Sequence, residues 1–155
     1  MKHVICVHTA MALVEPLTKI FQELIPEVTV NHIADSSLIK EVIANNQVTP
    51  AVRRRLLSYY NAAADAGADV VFNTCSSVGD VADYGNQYAR IPVFRIDQPM
   101  AAEAVLNYDR IGVISTLPMF SDATSTSGTS RLTQRSASVS VDSPPVEPCT
   151  IMSVS

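Results

Sequence analysis

AGADVVFNTCSSVGDVAD, residues 66–83, changes character twice within eighteen positions. Asp69–Phe72 is a short apolar, β-branched run with the composition of a buried strand, Asn73–Gly79 is a polar turn of small residues around Cys75, and Asp80–Ala89 resumes a helical pattern. A strand that breaks into a polar turn and re-enters a helix is half of a β-α-β unit. Upstream, Thr49 and Pro50 supply an N-cap and a first-turn proline for a helix that runs to about Ala66 and is closed by Gly67. Downstream come a strand at Ile91–Ile96, a helix at Gln98–Leu106 with Pro99 in its first turn, and a fifth strand at Arg110–Ile114. Nearer the N-terminus, His3–His8 is the first strand and Val28–Ile33 the second. Between them Leu13, Leu17, Ile20, Phe21 and Leu24 mark a helix with one buried face, and Ser36–Ala44 forms a short helix capped by Ser36 or Asp35. Strands alternating with amphipathic helices specify an α/β fold, an open parallel sheet with flanking helices.

The chain of 155 residues is one domain's worth, and 11 basic against 15 acidic residues leave a net charge of −4. The basic residues are scattered apart from Arg53–Arg55, which fan around a helix as a solvated face, so nucleic acid is not an expected partner. No uncharged apolar run approaches the ~20 residues that cross a bilayer, and no signal-peptide core follows Lys2. The expectation is a soluble, cytoplasmic protein with reduced thiols, since Cys6, Cys75 and Cys149 are odd in number and form no C-x-x-C pair. Composition shifts after Pro118: Met119–Ser155 holds 10 Ser and 5 Thr in 37 residues, with no helical or strand period. That segment is expected to be disordered, either as a natural Ser/Thr-rich tail or as a frameshifted replacement of a lost second half.

In open α/β sheets ligands bind beyond the carboxyl ends of the strands. Those ends here are His8-Thr9, Asp35-Ser36-Ser37, Asn73–Ser77, Asp97 and Ser115-Thr116. The richest is Asn73–Ser77, where a following helix's positive end and local N–H groups favour a thiolate at Cys75. Cys6, mid-strand between Ile5 and Val7, is a small buried hydrophobe, and Cys149 in the tail has no assigned role. His8 is open between pointing into the site and holding structure, while His3 and His32 are left to structure and surface. The position six residues after Cys75 is Val81, not the arginine of a low-molecular-weight phosphatase loop. No G-x-G-x-x-G, Walker loop, G-x-S-x-G elbow or metal-ligand spacing of His, Asp and Glu occurs.

MKHVICVHTA at the start, VTPAVRRRL before the long helix, NTCSSVG around the thiol, IPVFRIDQPMAAEAV and RIGVISTLP together resemble the aspartate/glutamate/hydantoin racemase superfamily, the cofactor-independent racemases. The resemblance spans 1–118, with 97–118 beginning a second lobe. It implies the first lobe of a two-lobed enzyme with one catalytic cysteine per lobe, a small carboxylate or hydantoin substrate between them, and no cofactor. Sheet edge and apolar helix faces left uncovered by the missing second lobe make a homo-oligomer the expected state. Cys75 matches the first-lobe catalytic cysteine, and Thr9, Asn73, Thr74, Ser76 and Thr116 match positions lining the substrate-carboxylate site. Inverting a stereocentre takes a base on one face and an acid on the other. The second-lobe cysteine motif is absent, and Cys149 does not match it. The implied function is a racemase or isomerase working through thiol acid/base chemistry, as an incomplete copy with impaired activity. A one-thiol isomerase using Cys75 as nucleophile and a non-catalytic carboxylate-binding domain are the alternatives.

Overall fold

The computed structural model describes residues 2–108, 111–113 and 151–153. Four strands, β1 (Lys2–His8), β2 (Val28–Ala34), β3 (Val70–Asn73) and β4 (Val93–Arg95), form one parallel sheet in the order β2-β1-β3-β4. The connecting helices are α1 (Val14–Leu24), α2 (Ser36–Asn45), α3 (Pro50–Asp65) and α4 (Gly79–Tyr88), and α5 (Gln98–Asn107) follows β4. The α/β class and the open parallel sheet are as the sequence implies.

Local chemistry explains the helix ends. The Asp35 carboxylate accepts from Ser37 N at 3.0 Å and caps α2. Thr49 Oγ1 accepts from Val52 N at 3.2 Å, with Pro50 in the first turn where its missing N–H costs nothing. Past α3, Gly67 takes φ +80°, a left-handed conformation that a Cβ would strain.

Register divides the sheet into two faces. Ile5, Val7, Val71, Asn73, Val93 and Arg95 share one face, because paired residues of parallel strands point the same way. Against it pack Leu38 and Val42 of α2, Val52, Leu56, Tyr60 and Ala63 of α3, and Val81 and Ala82 of α4, all buried. Cys6, His32, Phe72 and Phe94 share the opposite face. There α1 contributes buried Leu17, and Phe21 meets Phe72 edge-on at 6.1 Å and 82°. Phe94 on this face stays 57% exposed, so the described residues cover it only in part.

Two expectations are corrected. The fifth strand, expected at Arg110–Ile114 as part of the open sheet, is described as β5 (Ile111–Val113) and pairs antiparallel with β6 (Ile151–Ser153) in a separate two-stranded sheet. An apolar run identifies a strand but not its partner, and an unpaired strand edge accepts any chain that presents backbone groups. β6 falls within the segment expected to lack structure; the other residues of 119–155 lie outside those described. The solvated arginine face also needs revision. Arg53 pairs with Asp80 at 2.5 Å and Arg55 pairs with Asp35, so two of the three guanidiniums tie α3 to neighbouring helix starts, while Arg54 is exposed.

Candidate functional site

Parallel pairing brings four strand ends to one rim: Asp35 after β2, Thr9 after β1, Thr74 after β3 and Asp97 after β4. The chain leaves β1 through α1 on one face toward β2 and reaches β3 through α2 and α3 on the other. The crossovers therefore diverge between β1 and β3, which is the switch point where such sheets open a crevice. Thr9 and the loop Thr74–Val78 sit at that point.

The loop is built from β3 outward. Asn73, 1% exposed, donates from Nδ2 to Cys75 O at 3.0 Å and accepts at Oδ1 from Tyr60 Oη at 3.3 Å. Burial above all, with smaller contributions from Cys75, Asp80 and Asp83, pushes the Tyr60 phenol up, so it remains a donor at any physiological pH. Thr74 N and Oγ1 both reach Val7 O at 3.1 Å, stitching the loop to β1. Cys75, half-buried, has extended backbone angles and precedes a single 3-10 turn at Ser76–Val78 that runs directly into α4. Its side chain borders the buried core cluster. The hydroxyls of Ser76 and Ser77, partly exposed, have no hydrogen-bond partner among the described residues.

Of the residues assigned to the site by sequence, Thr9, Asn73, Thr74, Cys75 and Ser76 are brought to this one rim. Thr116, and Cys149 with it, lie outside the described residues. Asn73 spends its side chain on the loop and Thr74 on its tie to β1, whereas the Ser76 hydroxyl makes no hydrogen bond among the described residues.

Two polar networks flank the loop. Arg95, 14% exposed at its side chain, grips Asp97 through Nε and Nη2 at 3.0 and 2.7 Å and Asp83 through Nη1 at 2.6 Å. Asp35 collects Ser37 Oγ at 2.6 Å, Tyr59 Oη at 2.6 Å and Arg55. Burial alone would raise this carboxyl, but the hydrogen bonds from Ser37 and Tyr59 and the Arg55 charge hold it down at about 2. Both guanidiniums are thus neutralised within the fold.

Sequence spacing offered no cluster of His, Asp and Glu; the sheet brings one cysteine and two histidines together. Cys6 and His8 alternate onto one face of β1, and His32 stands directly opposite Cys6 on β2. Their ligand atoms lie within 4.8 Å of one another. His8 Nε2 is 2.8 Å from His32 Nδ1 and the rings stack at 5.1 Å. The outer nitrogens meet hydroxyls, His8 Nδ1 at 2.9 Å from Thr74 Oγ1 and His32 Nε2 at 2.8 Å from Thr18 Oγ1. Burial first, and His32 second, push His8 down to about 4, and burial lowers His32, so both rings are neutral at pH 7. The C-x-H alternation in β1 was visible in the sequence; the pairing that sets His32 beside it was not.

Among the described residues, no helix is long and apolar enough to cross a membrane. The sequence model of the Asp/Glu/Hydantoin racemase family matches residues 3–147, which is most of the chain and runs past Pro118. No curated protein and no solved structure matches.

Proposed function

Because the chain belongs to the Asp/Glu/hydantoin racemase family, whose general function is racemase or isomerase chemistry on a small molecule, we propose that Cys75 is its acid/base residue at one face of a small carboxylate or hydantoin. The observation that carries this reading is the position of Cys75 at the β1/β3 switch point, on a loop held by Asn73 and Thr74 and running into α4. The substrate carboxylate or carbonyl is taken by Thr9, Ser76 and the N–H groups that open the 3-10 turn, with Thr116 as a further donor. The Cys75 thiolate removes the α-proton: the S–H bond forms, the C–H bond breaks, and the electron pair passes into the adjoining carbonyl as an enolate. Donors aimed at that oxygen stabilise the charge as it develops. Asn73 and Thr74 act by positioning, since their side chains are engaged with Cys75 O and Val7 O.

With one thiol the proton returns from the face it left. Aspartate, glutamate and 5-substituted hydantoins incubated in D₂O are therefore expected to exchange the α-proton, followed by NMR, with no appreciable inversion on chiral chromatography. Cys75→Ser is expected to lose the exchange. Exchange unchanged in Cys75→Ser removes the assignment. Full racemisation by the monomer would require a second acid and would overturn the one-face reading.

A further inference from the structure

The hydroxyls that flank the histidine pair fix its proton count. Thr18 Oγ1 donates to Val14 O at 2.7 Å, and Thr74 Oγ1 donates to Val7 O at 3.1 Å. A hydroxyl carries one hydrogen. With both hydrogens on carbonyls, the two hydroxyls can only accept from the rings, so His32 donates through Nε2 and His8 through Nδ1. A neutral imidazole carries one N–H, and each ring has now placed it outward. The inner atoms, His8 Nε2 and His32 Nδ1, then face each other at 2.8 Å as two bare lone pairs. That contact satisfies neither atom unless a cation lies between them, or unless one hydroxyl abandons its carbonyl. A proton would leave a charge on the pair, and no carboxylate among the described residues hydrogen-bonds to either ring.

We propose that Cys6, His8 and His32 form a binding site for a thiophilic d¹⁰ transition-metal ion of the Zn²⁺ class, held under α1 on the face of the sheet opposite the main core. The donor set is a thiolate and two imidazoles, the combination such ions take. Both distal ring nitrogens donate to hydroxyls that themselves donate to main-chain carbonyls, which is the outer-shell pattern that fixes the tautomer of a metal-binding histidine. Zn–N bonds of about 2.05 Å at a tetrahedral angle separate two nitrogens by about 3.3 Å. The inner nitrogens therefore open by about half an ångström, and His32 on the edge strand β2, only partly buried, is the side that can give. On binding, the Cys6 S–H bond breaks, the sulfur pair goes to the metal and the proton leaves to solvent. Burial pushes the free Cys6 thiol up to about 12, so the metal must compete with that proton. The site is separate from Cys75 and does not depend on the proposed reaction, although Thr74 touches both.

The test is titration of the full chain, first stripped with a chelator, with Zn²⁺ alone, read by calorimetry and by metal content after gel filtration, with circular dichroism as the check on folding. Binding of one Zn²⁺ per chain with a raised melting temperature is expected, together with a thiolate-to-metal charge-transfer band when Co²⁺ replaces Zn²⁺. Thr18→Val, which removes the support of His32 without touching a ligand, is expected to weaken binding about 10–100-fold. Cys6→Ala is expected to abolish the charge-transfer band. His32→Ala on the edge strand is expected to abolish uptake of the single Zn²⁺, which tests the site through metal content should Cys6→Ala fail to fold. Cys75→Ser is expected to bind as the native chain does. The proposal is overturned by a folded native chain that takes up no Zn²⁺, by uptake that survives both ligand substitutions, or by uptake lost in Cys75→Ser.

Discussion

Gly85→Ala tests the packing that supports the Cys75 loop. Gly85 lies inside α4, where replacing glycine by alanine ordinarily stabilises by about 0.5–1 kcal/mol because the unfolded chain loses freedom. Here a Cβ would stand 2.7 and 2.8 Å from Cδ2 and Cε2 of Tyr60. The ring cannot step aside freely: Tyr60 is fully buried among α3, α4 and the sheet, and its hydroxyl is anchored on Asn73 Oδ1. Overpacking of a close-packed core costs about 1–3 kcal/mol, and pulling the phenol away would leave a buried amide oxygen unpaired at about 1–3 kcal/mol. The steric terms exceed the propensity gain, and a net destabilisation of about 2 kcal/mol is expected. In urea the midpoint should fall with the slope unchanged, and the melting temperature should drop by roughly 4–8 °C at about 2–4 °C per kcal/mol for a chain of this length. Combining Gly85→Ala with Tyr60→Leu, which vacates the space, should cost less than the sum of the two single changes. A Gly85→Ala chain as stable as the parent or more stable would refute the reasoning, since propensity alone would then govern the site.

In a Cys149→Ser background, iodoacetamide should alkylate Cys75 in the native state and Cys6 only after unfolding, because Cys6 is fully buried; peptide mass spectrometry reads both, and equal native rates would contradict the placement. The Asp35 carboxyl is depressed from 3.8 to about 2, so its contribution to stability is complete above the unfolded value and is lost as the pH falls from about 4 toward 2. Asp35→Asn should lower stability at pH 7 and flatten that acid limb in urea titrations at stepped pH. The sheet face left open at Phe94, 57% exposed, together with Ile20 at 46% and Leu24 at 75% on α1, should drive self-association, and Phe94→Asp should shift the chain toward monomer in sedimentation velocity. An unchanged distribution would place any contact elsewhere.

What the sequence disclosed and what it withheld divide along the range of the interactions. Thr49-Pro50 and Asp35 state helix starts within three or four residues, and such signals are local, so they survive without the fold. The apolar spacing along α1 was legible only in part: Leu17 is buried and Phe21 meets Phe72, but Ile20 and Leu24, assigned to the same buried face, are 46% and 75% exposed, because spacing names a stripe and not how much of it the sheet covers. The Asn73–Ser77 loop was legible for the same reason, as a polar break between a strand and a helix. The pairing of β5 with β6 joins segments about forty residues apart and has no local signature. Arg55 also looked like one of three arginines scattered round a helix. Only the placement of α3 beside the start of α2 brings it to Asp35 and makes it an ion pair.

The His8–His32 contact shows the same limit within the site itself. Alternation along β1 sends Val7 toward the main core and Cys6 and His8 toward α1, so the strand that anchors the Cys75 loop through Val7 O also carries the histidine pair on its reverse face. Thr74 joins the two, since one hydroxyl meets both Val7 O and His8 Nδ1. Any change in the proton or ligand between the rings alters what that hydroxyl can do. If His8 Nδ1 donates, the Thr74 hydrogen stays on Val7 O and the loop keeps its tie to β1; if His8 Nδ1 accepts, the hydrogen leaves the carbonyl and only the Thr74 main-chain N–H holds it. The orientation of the residue immediately before Cys75 is thereby coupled to a cluster on the far side of the sheet, through one shared hydrogen.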